Sequence, residues 1–325
     1  MRYRQLGRSG LTVSVVGVGC NNFGWRIDAP EVEKVVGAAL DAGVNLFDTA
    51  AMYGRPAGTS EELLGRALGS RRDEAVVATK FGARGFSSLT TEERDPGGSR
   101  RHIRQSVEQS LRRLGTDWID LFQLHVPDPS TPIAETLSTL DDLVREGKVR
   151  YAGCSNFAAW QVADADWTAR RHGWAPFISA QNHYSLLERD VEKELVAACL
   201  HFGLGLLPYF PLSSGLLTGK YRRDTPAPEG TRMAGDRWAQ RLAEAPWDLI
   251  ETLEAFAHKR EIGLLELAVG GLAARPAVAS VIAGATSAEQ VRANVAAGAW
   301  VPSPEDAAEL DEILSGATTG RRPGA

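Results

Sequence analysis

The fold is indicated by a pattern that is clearest in residues 43–50, which read GVNLFDTA. A glycine that ends a helical segment is followed by a short apolar run, and the run closes on Asp48. The same order recurs in residues 75–80, which read AVVATK, and in residues 118–125, which read WIDLFQLH. Parallel strands that are buried on both faces have near-continuous apolar runs of this kind. Their ends gather at one rim of a barrel, so an acid, an amine and an imidazole are expected to meet there.

Eight such runs alternate with helical patterns along the chain. We predict strands at 12–18, 44–48, 75–79, 118–124, 150–154, 177–182, 204–208 and 279–283. Helix starts are predicted at Asp28, at Ser99, at Pro132 and at a capping box of Thr59 with Glu62. The alternation predicts an α/β protein with a (β/α)8 TIM barrel that spans residues 1–325 as one domain. An open doubly wound sheet, the alternative, needs a third glycine at the position of Asn22.

Composition is ordinary for a globular chain of 325 residues, with 43% hydrophobic and 24% charged residues. A net charge of −5 gives no indication of a nucleic-acid or membrane partner. No apolar run reaches the ~18 residues of a membrane helix, and the stretch after Arg2, Arg4 and Arg8 is too short for a signal peptide. Three cysteines without CxxC spacing favour reduced thiols and a cytoplasmic location. The oligomeric state stays open.

One connection, residues 210–246, is too long for a plain loop and is rich in glycine, proline and serine. It follows the seventh predicted strand, at the rim where barrels carry their active sites, so we expect a lid that closes over a ligand. A flexible connection is the alternative. The tail, about residues 318–325, is expected to be disordered.

The chain resembles the aldo-keto reductases from end to end. The resemblance rests on YRQLGRSG at 3–10, GVNLFDTA at 43–50 with Tyr53-Gly54, Thr79-Lys80, Leu124-His125, GCSNF at 153–157, Gln181-Asn182, LTGKY at 217–221 and QVRAN at 290–294. It implies reduction of aldehyde or ketone carbonyls with NADPH. It also implies that Asp48, Tyr53, Lys80 and His125 form a catalytic tetrad.

The chemistry requires these residue types for reasons independent of the family. Hydride addition to a carbonyl leaves an alkoxide, so a proton donor must lie about 2.6 to 3.2 Å from the oxygen. Tyr53 is the natural donor, and a Lys80 ammonium ~4 Å away would favour its phenolate by roughly 4 kcal/mol, about three pKa units before desolvation opposes it. Asp48 would hold Lys80, and His125 would donate a hydrogen bond to the substrate.

Each member of the tetrad has an ordinary structural role when it is taken alone. Asp48 and His125 could cap turns, Tyr53 could be a half-buried aromatic residue, and Lys80 could be a solvated charge. Their occurrence together at successive strand ends favours catalysis. A Schiff-base lysine is the rival chemistry, and it needs none of the cofactor features below.

The resemblance also assigns cofactor-binding residues, and it implies contacts at Asp48 and along the first strand's end. Ser155, Asn156 and Gln181 would hold the nicotinamide carboxamide, and Tyr209 would stack on its ring. The full expected set comprises Gly19, Cys20, Asn21, Asp48, Ser155, Asn156, Gln181, Tyr209, Phe210, Pro211, Leu212, Ser214, Gly215, Lys220, Arg232, Gly284, Thr286, Ser287, Gln290 and Asn294. Backbone amides around Ser214 and the Lys220 ammonium would contact the pyrophosphate, and Arg232 could equally be solvated.

The sequence departs from the family pattern at three of these positions. Phe210 stands where many relatives carry serine, and Gly284 and Gln290 stand where other branches place lysine and arginine for a 2′-phosphate. Amides at a helix beginning at Ser287 could replace those cations, although Ser287 and Gln290 also form a capping box. NADPH is therefore expected, and NAD stays open.

The substrate pocket is expected to combine Tyr53 and His125 with an apolar mouth of Phe23, Trp25 and Met52, which could equally be ordinary packing residues. A small, uncharged carbonyl compound is the favoured substrate. Two alternatives stay open on the same fold. One is a non-catalytic, nucleotide-binding regulatory subunit, similar to channel-associated β subunits. The other is an NAD-dependent alcohol or sugar dehydrogenase.

Overall fold

A computed structural model describes residues 1–83, 97–235 and 238–318. The strands are β1 (Tyr3–Gln5), β2 (Thr12–Ser14), β3 (Val16–Gly19), β4 (Leu46–Asp48), β5 (Val76–Phe81), β6 (Ile119–Leu124), β7 (Val149–Ser155), β8 (Phe177–Gln181), β9 (Gly205–Leu206) and β10 (Val281–Gly284). Strands β3 to β10 pair in parallel in the order β10-β3-β4-β5-β6-β7-β8-β9. Hydrogen bonds close the ring, with the Leu206 N–H on Ala277 O at 2.7 Å and the Ile282 N–H on Pro208 O at 3.1 Å. The predicted (β/α)8 barrel is confirmed.

The helices surround this barrel. They are α1 (Ala29–Asp41), α2 (Thr59–Leu68), α3 (Arg100–Leu114), α4 (Ile133–Arg145), α5 (Ala159–His172), α6 (Leu195–Phe202), α7 (Ala239–Ala243), α8 (Trp247–His258), α9 (Leu264–Ala273), α10 (Ala288–Ala297) and α11 (Pro304–Thr318). Asp28 and Ser99 cap α1 and α3 through their side chains, as predicted, and Pro132 is the N-cap of α4. The capping box at Thr59 is wrong. Gly58, at φ 90°, is the N-cap there, and the Thr59 hydroxyl donates to Pro56 O at 2.6 Å.

The predicted strand at 12–18 is two strands. Residues Thr12–Ser14 pair antiparallel with β1, and Val16–Gly19 enter the barrel. This hairpin covers the N-terminal end of the barrel, where Leu6 and Val13 pack with strand residues such as Leu46 and Leu121. Gly7, at φ 61°, fits there because a Cβ would come within 2.4 Å of Gly203 O. The opposite rim, at the C-terminal strand ends, is left for a site.

The connection from 210 to 246 packs on a second apolar cluster. Leu217, Tyr221 and Met233 from this connection are buried against α8, α9 and α11. It contains a 3-10 segment at Ser213–Thr218 and the short helix α7. Of the predicted tail, Thr318 ends α11, and 319–325 lie outside the described residues.

The three cysteines are buried and unpaired, as expected for reduced thiols. Among the described residues, no helix combines the length and the apolar character that a membrane span requires.

Candidate active site

A cavity of about 760 Å³ opens at the C-terminal rim of the barrel. The predicted residues that line it are Gly19, Asn21, Asp48, Tyr53, His125, Ser155, Asn156, Gln181, Tyr209, Phe210, Pro211, Leu212, Ser214, Gly215, Lys220, Arg232, Gly284, Thr286, Gln290 and Asn294. Its volume lies within the range of about 300–1,000 Å³ that is typical of small-molecule sites. One cavity therefore contains most of the predicted site.

Lys80 and Asp48 form a buried ion pair beside this cavity. The Lys80 ammonium donates to Asp48 Oδ1 at 2.8 Å, to Asp48 Oδ2 at 2.6 Å and to Thr49 O at 2.9 Å. Gln181 Nε2 donates to Asp48 Oδ1 at 2.8 Å. Burial opposes the charge on Lys80, but Asp48 and Tyr53 together with Cys20 outweigh burial and raise the pKa of Lys80. The lysine is therefore a cation held in place by the Asp48 carboxylate and the Thr49 carbonyl.

Tyr53 lies next to this ion pair, on the turn after β4. Its N–H donates to Ala50 O at 3.0 Å, and Gly54 continues the turn at φ 95°. The Lys80 Nζ is 5.2 Å from the centroid of the Tyr53 ring. Burial raises the pKa of Tyr53 by more than the Lys80 charge lowers it. The lowering expected from Lys80 is therefore more than offset by burial, and the phenol keeps its proton at neutral pH.

His125 completes the group at the end of β6. Its ring centroid is 6.0 Å from that of Tyr53, with the two rings nearly perpendicular at 84°. Burial, reinforced by the Lys80 charge, lowers the pKa of His125 to about 3. Its Nδ1 is buried and has no hydrogen-bond partner within the described part of the chain. The imidazole is thus neutral and carries one N–H to donate.

Ser155, Asn156, Gln181 and Tyr209 form a polar network on the neighbouring strand ends. The Tyr209 hydroxyl donates to Asn156 Oδ1 at 2.8 Å, and the Ser155 hydroxyl donates to Gln181 O at 2.8 Å. Asn156 reaches this position through a backbone φ of 61°. His183, which the sequence reasoning missed, stacks on Tyr209 with centroids 5.4 Å apart and rings 7° from parallel. The network orients the Tyr209 ring at the cavity wall.

The start of the long connection wraps the next part of the cavity. Ser214 has φ 62° and Gly215 has φ 101°, so the backbone reverses within the 3-10 segment. A Cβ on Gly215 would lie only 3.2 Å from Lys220 Cε. Glycine there lets Lys220 pack across the turn. Arg232 lies with its guanidinium carbon 5.4 Å from the Phe210 ring centroid.

The far end of the cavity lies at β10 and the first turn of α10. Gln290 Oε1 accepts from the Thr286 N–H at 2.9 Å, and Ser287 Oγ accepts from the Gln290 N–H at 3.3 Å. Ser287 is therefore the helix cap and does not line the cavity. Hydrogen bonds from its own backbone N–H and from the Ser287 side chain lower the pKa of Glu289. Its side chain is therefore a carboxylate at the start of α10.

Three other predicted residues are not brought to the cavity. Cys20 is fully buried, and its N–H donates to Asp48 O at 2.8 Å. Phe23 has no exposed surface and packs in the main core, so it cannot form the expected mouth. Trp25 is 39% exposed and lies under the Arg55 guanidinium, outside the cavity lining.

Asn22 and Arg26 line the cavity, and the sequence reasoning missed both. The position of Asn22 beside Asn21, at a strand end, could have indicated a cavity residue. Nothing in the sequence around Arg26 indicates that it lines the cavity. Asn22 is buried, and its Oδ1 has no partner within the described ranges. Buried polar atoms are nearly always hydrogen-bonded, so this oxygen is suited to accept a hydrogen bond from a ligand.

The wall of the cavity is cationic. Arg26, Lys220 and Arg232 line it, and among the lining residues that the structure describes Asp48 is the single acid, already neutralised by Lys80. Cationic side chains on a cavity wall attract an anionic ligand. The arrangement combines a neutral proton donor, a fixed cation beside it and a cationic channel.

Comparison with known proteins agrees with this description. A family model described as "Aldo/keto reductase family" matches residues 15–315. A probable voltage-gated potassium channel subunit beta from Oryza sativa is 35% identical over 327 residues, which cover 97% of each chain. The versiconal hemiacetal acetate reductase of Aspergillus parasiticus is 33% identical over 336 residues, 96% of each. The L-glyceraldehyde 3-phosphate reductase of Escherichia coli K12 is 33% identical over 328 residues, 97% of this chain and 93% of the relative.

Proposed function

This chain belongs to the aldo/keto reductase family and is an oxidoreductase, and we propose that it reduces aldehyde or ketone carbonyls to alcohols, with NADPH as the hydride donor and Tyr53 as the proton donor. The observation that carries the proposal is the Lys80–Asp48 pair at 2.6 Å, buried beside the Tyr53 ring and the neutral His125. A fixed cation next to a protonated phenol is what transfer of a proton to a developing alkoxide requires.

The roles of the tetrad follow from these contacts. Tyr53 holds its proton until negative charge develops on the substrate oxygen, and the adjacent Lys80 charge then stabilises the phenolate that the transfer leaves. Asp48 keeps Lys80 charged and in place through both carboxylate oxygens. His125 is neutral, so it donates an N–H to the carbonyl oxygen without adding a positive charge that would compete with Lys80.

The residues present fit a dinucleotide. The cationic side chains of Arg26, Lys220 and Arg232 suit its phosphates, and the unpartnered Asn22 Oδ1 suits a ribose hydroxyl. Tyr209 presents an aromatic face for the nicotinamide, backed by Ser155, Asn156 and Gln181. When bound, NADPH supplies the hydride that reduces the carbonyl carbon.

One observation favours NADH instead. Glu289 places a carboxylate in the first turn of α10, at the helix end that would otherwise attract a 2′-phosphate. Gly284 and Gln290 supply no cation there. Dissociation constants for the two cofactors decide between them. We propose at least tenfold tighter binding of NADPH, about 1.4 kcal/mol, through the amides at the start of α10. Equal constants would refute a 2′-phosphate site there and would leave the hydride chemistry standing.

We also propose that residues 1–325 act as one domain. We propose a cytoplasmic location because the buried cysteines stay unpaired.

Turnover tests the proposed reduction of carbonyl compounds directly. Purified protein is mixed with 4-nitrobenzaldehyde and NADPH, and loss of the reduced nicotinamide absorbance is followed. We expect reduction. Tight cofactor binding without turnover of any aldehyde or ketone in a panel would instead support the non-catalytic regulatory subunit.

A further inference from the structure

A second cavity, of about 340 Å³, lies at the N-terminal end of the barrel, opposite the active-site rim. Its walls come from the β1–β2 hairpin, from the end of α6 and from the segment that leads into β10. Arg4, Arg8 and Arg275 line it, and none of its lining residues in the described part of the chain is acidic. The arginine-rich N-terminus, which the proposed reaction does not use, therefore forms part of a concave, cationic surface.

Arg4 and Arg8 have no carboxylate partner within the described part of the chain. Arg4 Nη1 donates to Ala273 O at 2.6 Å and to Val278 O at 2.8 Å, which fixes its guanidinium at the cavity wall. Burial, and then the charge on Arg2, lower the pKa of Arg4, as expected where positive charge is not balanced by an acid. Arg8 is exposed at the rim of the cavity.

Arg275 supplies an unsatisfied donor. Its Nη1 donates to Asp311, whereas its Nη2 is buried and has no hydrogen-bond partner among the described residues. The side chain is 13% exposed. A buried guanidinium nitrogen without an acceptor is unfavourable, and an oxyanion in the cavity would supply that acceptor.

Glycines shape the cavity so that Arg8 lies across it. Gly203 ends α6 at φ 81°, and a Cβ there would come within 2.5 Å of Arg8 Cδ. The Arg8 N–H also donates to Gly203 O at 2.8 Å. The Arg8 stem is therefore held against the end of α6, and its guanidinium lies close to the cavity without a protein acceptor in the described ranges.

We propose that this cavity is a second ligand site, which binds a small molecule through a phosphate group. Guanidinium forks match phosphate oxygens in pairs, and the three arginines offer such donors from two segments, the β1–β2 hairpin and the segment that leads into β10. The limited volume suits a phosphate ester of a small metabolite. The site is separate from the active-site cavity, so it stands whether or not the proposed reductase activity is correct.

The test is a calorimetric titration of the full chain with inorganic phosphate, with sodium chloride at matched ionic strength as the blank. We expect saturable binding that Arg8→Gln weakens roughly fivefold or more, because one charge-assisted contact is lost. Arg66→Gln, which removes an exposed arginine of α2, is the matched control and is expected to bind as the wild type does. Lys220→Gln separates this site from the active-site cavity and is also expected to leave the Arg8-dependent binding intact.

Hydrogen–deuterium exchange of the wild type provides a measurement that needs no variant. Phosphate, and not chloride, is expected to slow exchange in peptides covering residues 1–14 and 198–206. The proposal is overturned if Arg8→Gln and Arg66→Gln bind phosphate equally, if Lys220→Gln abolishes binding, or if these peptides exchange at unchanged rates.

Discussion

At one end of the active-site cavity, Lys80 is 1% exposed and its ammonium makes three hydrogen bonds within the protein. At the other end, Gly284 and Gln290 are exposed, and Gln290 is held by the backbone and hydroxyl of Thr286. Proton transfer needs the Lys80 charge in place before substrate binds, and burial and pairing with Asp48 provide this. The second end needs contacts that form only with a ligand. The catalytic end is therefore preorganised, while cofactor selection depends on a few exposed side chains.

Lys80→Met is expected to give the largest effect at the preorganised end. It removes the cation beside Tyr53, so turnover should fall by roughly 10²- to 10⁴-fold. It also leaves the Asp48 carboxylate buried without its partner, which should lower the free energy of unfolding by about 3–5 kcal/mol. Steady-state kinetics and urea denaturation measure the two effects.

The double variant Lys80→Met with Asp48→Asn is the control for that experiment. It removes both charges, so most of the stability should return while the activity stays lost. If the double variant recovered activity as well as stability, the Lys80 charge would have no role in proton transfer.

His125 gives the catalytic end a dependence on pH. Its pKa is about 3 in the folded protein, below the ordinary value of 6.5, so the unfolded chain takes up a proton that the folded chain does not. Above about pH 6.5 the free energy of unfolding is not reduced by His125. As the pH falls below that value it decreases, by about 2 kcal/mol at about pH 5. Urea denaturation of the wild type and of His125→Gln should show this difference in their pH dependence. Parallel pH profiles for the two proteins would contradict a neutral, buried imidazole.

Arg232 tests the less organised end, where it lies over Phe210 on the long connection. If the connection acts as a clamp, Arg232→Ala should raise the dissociation constant for NADPH roughly fivefold, or about 1 kcal/mol, and speed its release. Stopped-flow fluorescence measures release, and Arg66→Ala is the control for a lost surface charge. Limited proteolysis of residues 210–246 should show protection by cofactor; equal cleavage with and without it indicates a static connection.

Glu289→Gln should give the smallest effect, a shift of roughly two- to fivefold in favour of NADPH over NADH. The substitution removes a negative charge from the helix start that would face a 2′-phosphate. Fluorescence titration with both cofactors measures the ratio of dissociation constants. Glu305→Gln, in the first turn of α11, is the matched control. An unchanged ratio would show that the phosphate does not approach this helix end.

The sequence predicted the barrel and the tetrad because both depend on local patterns. Apolar runs that end on Asp48, Lys80 or His125 identify strand ends, and a barrel brings strand ends together. The strand at 12–18 was wrong because an apolar run does not show where the chain leaves a hairpin and enters the barrel. Phe23 was misplaced for a related reason: loop position predicts exposure, but this side chain turns into the core.

The remaining differences arise from tertiary context. The sequence does not show how deeply Tyr53 is buried, so the balance between burial and the Lys80 charge could not be derived from it. Arg26 carries no motif and becomes a cavity residue only through the path of the loop after β3. Exposed loop residues of this kind are where sequence patterns carry least information.

Proton donation by Tyr53 is tested most directly by measuring both the kcat of Tyr53→Phe and its dissociation constant for NADPH. The substitution removes the hydroxyl and keeps the ring beside Lys80 and His125. Tyr3→Phe, which removes an exposed hydroxyl on the N-terminal hairpin, is the control. If Tyr53 donates the proton, kcat for 4-nitrobenzaldehyde should fall by roughly 10²-fold or more while cofactor affinity stays near that of the wild type. Turnover by Tyr53→Phe at the wild-type rate would contradict proton donation by Tyr53.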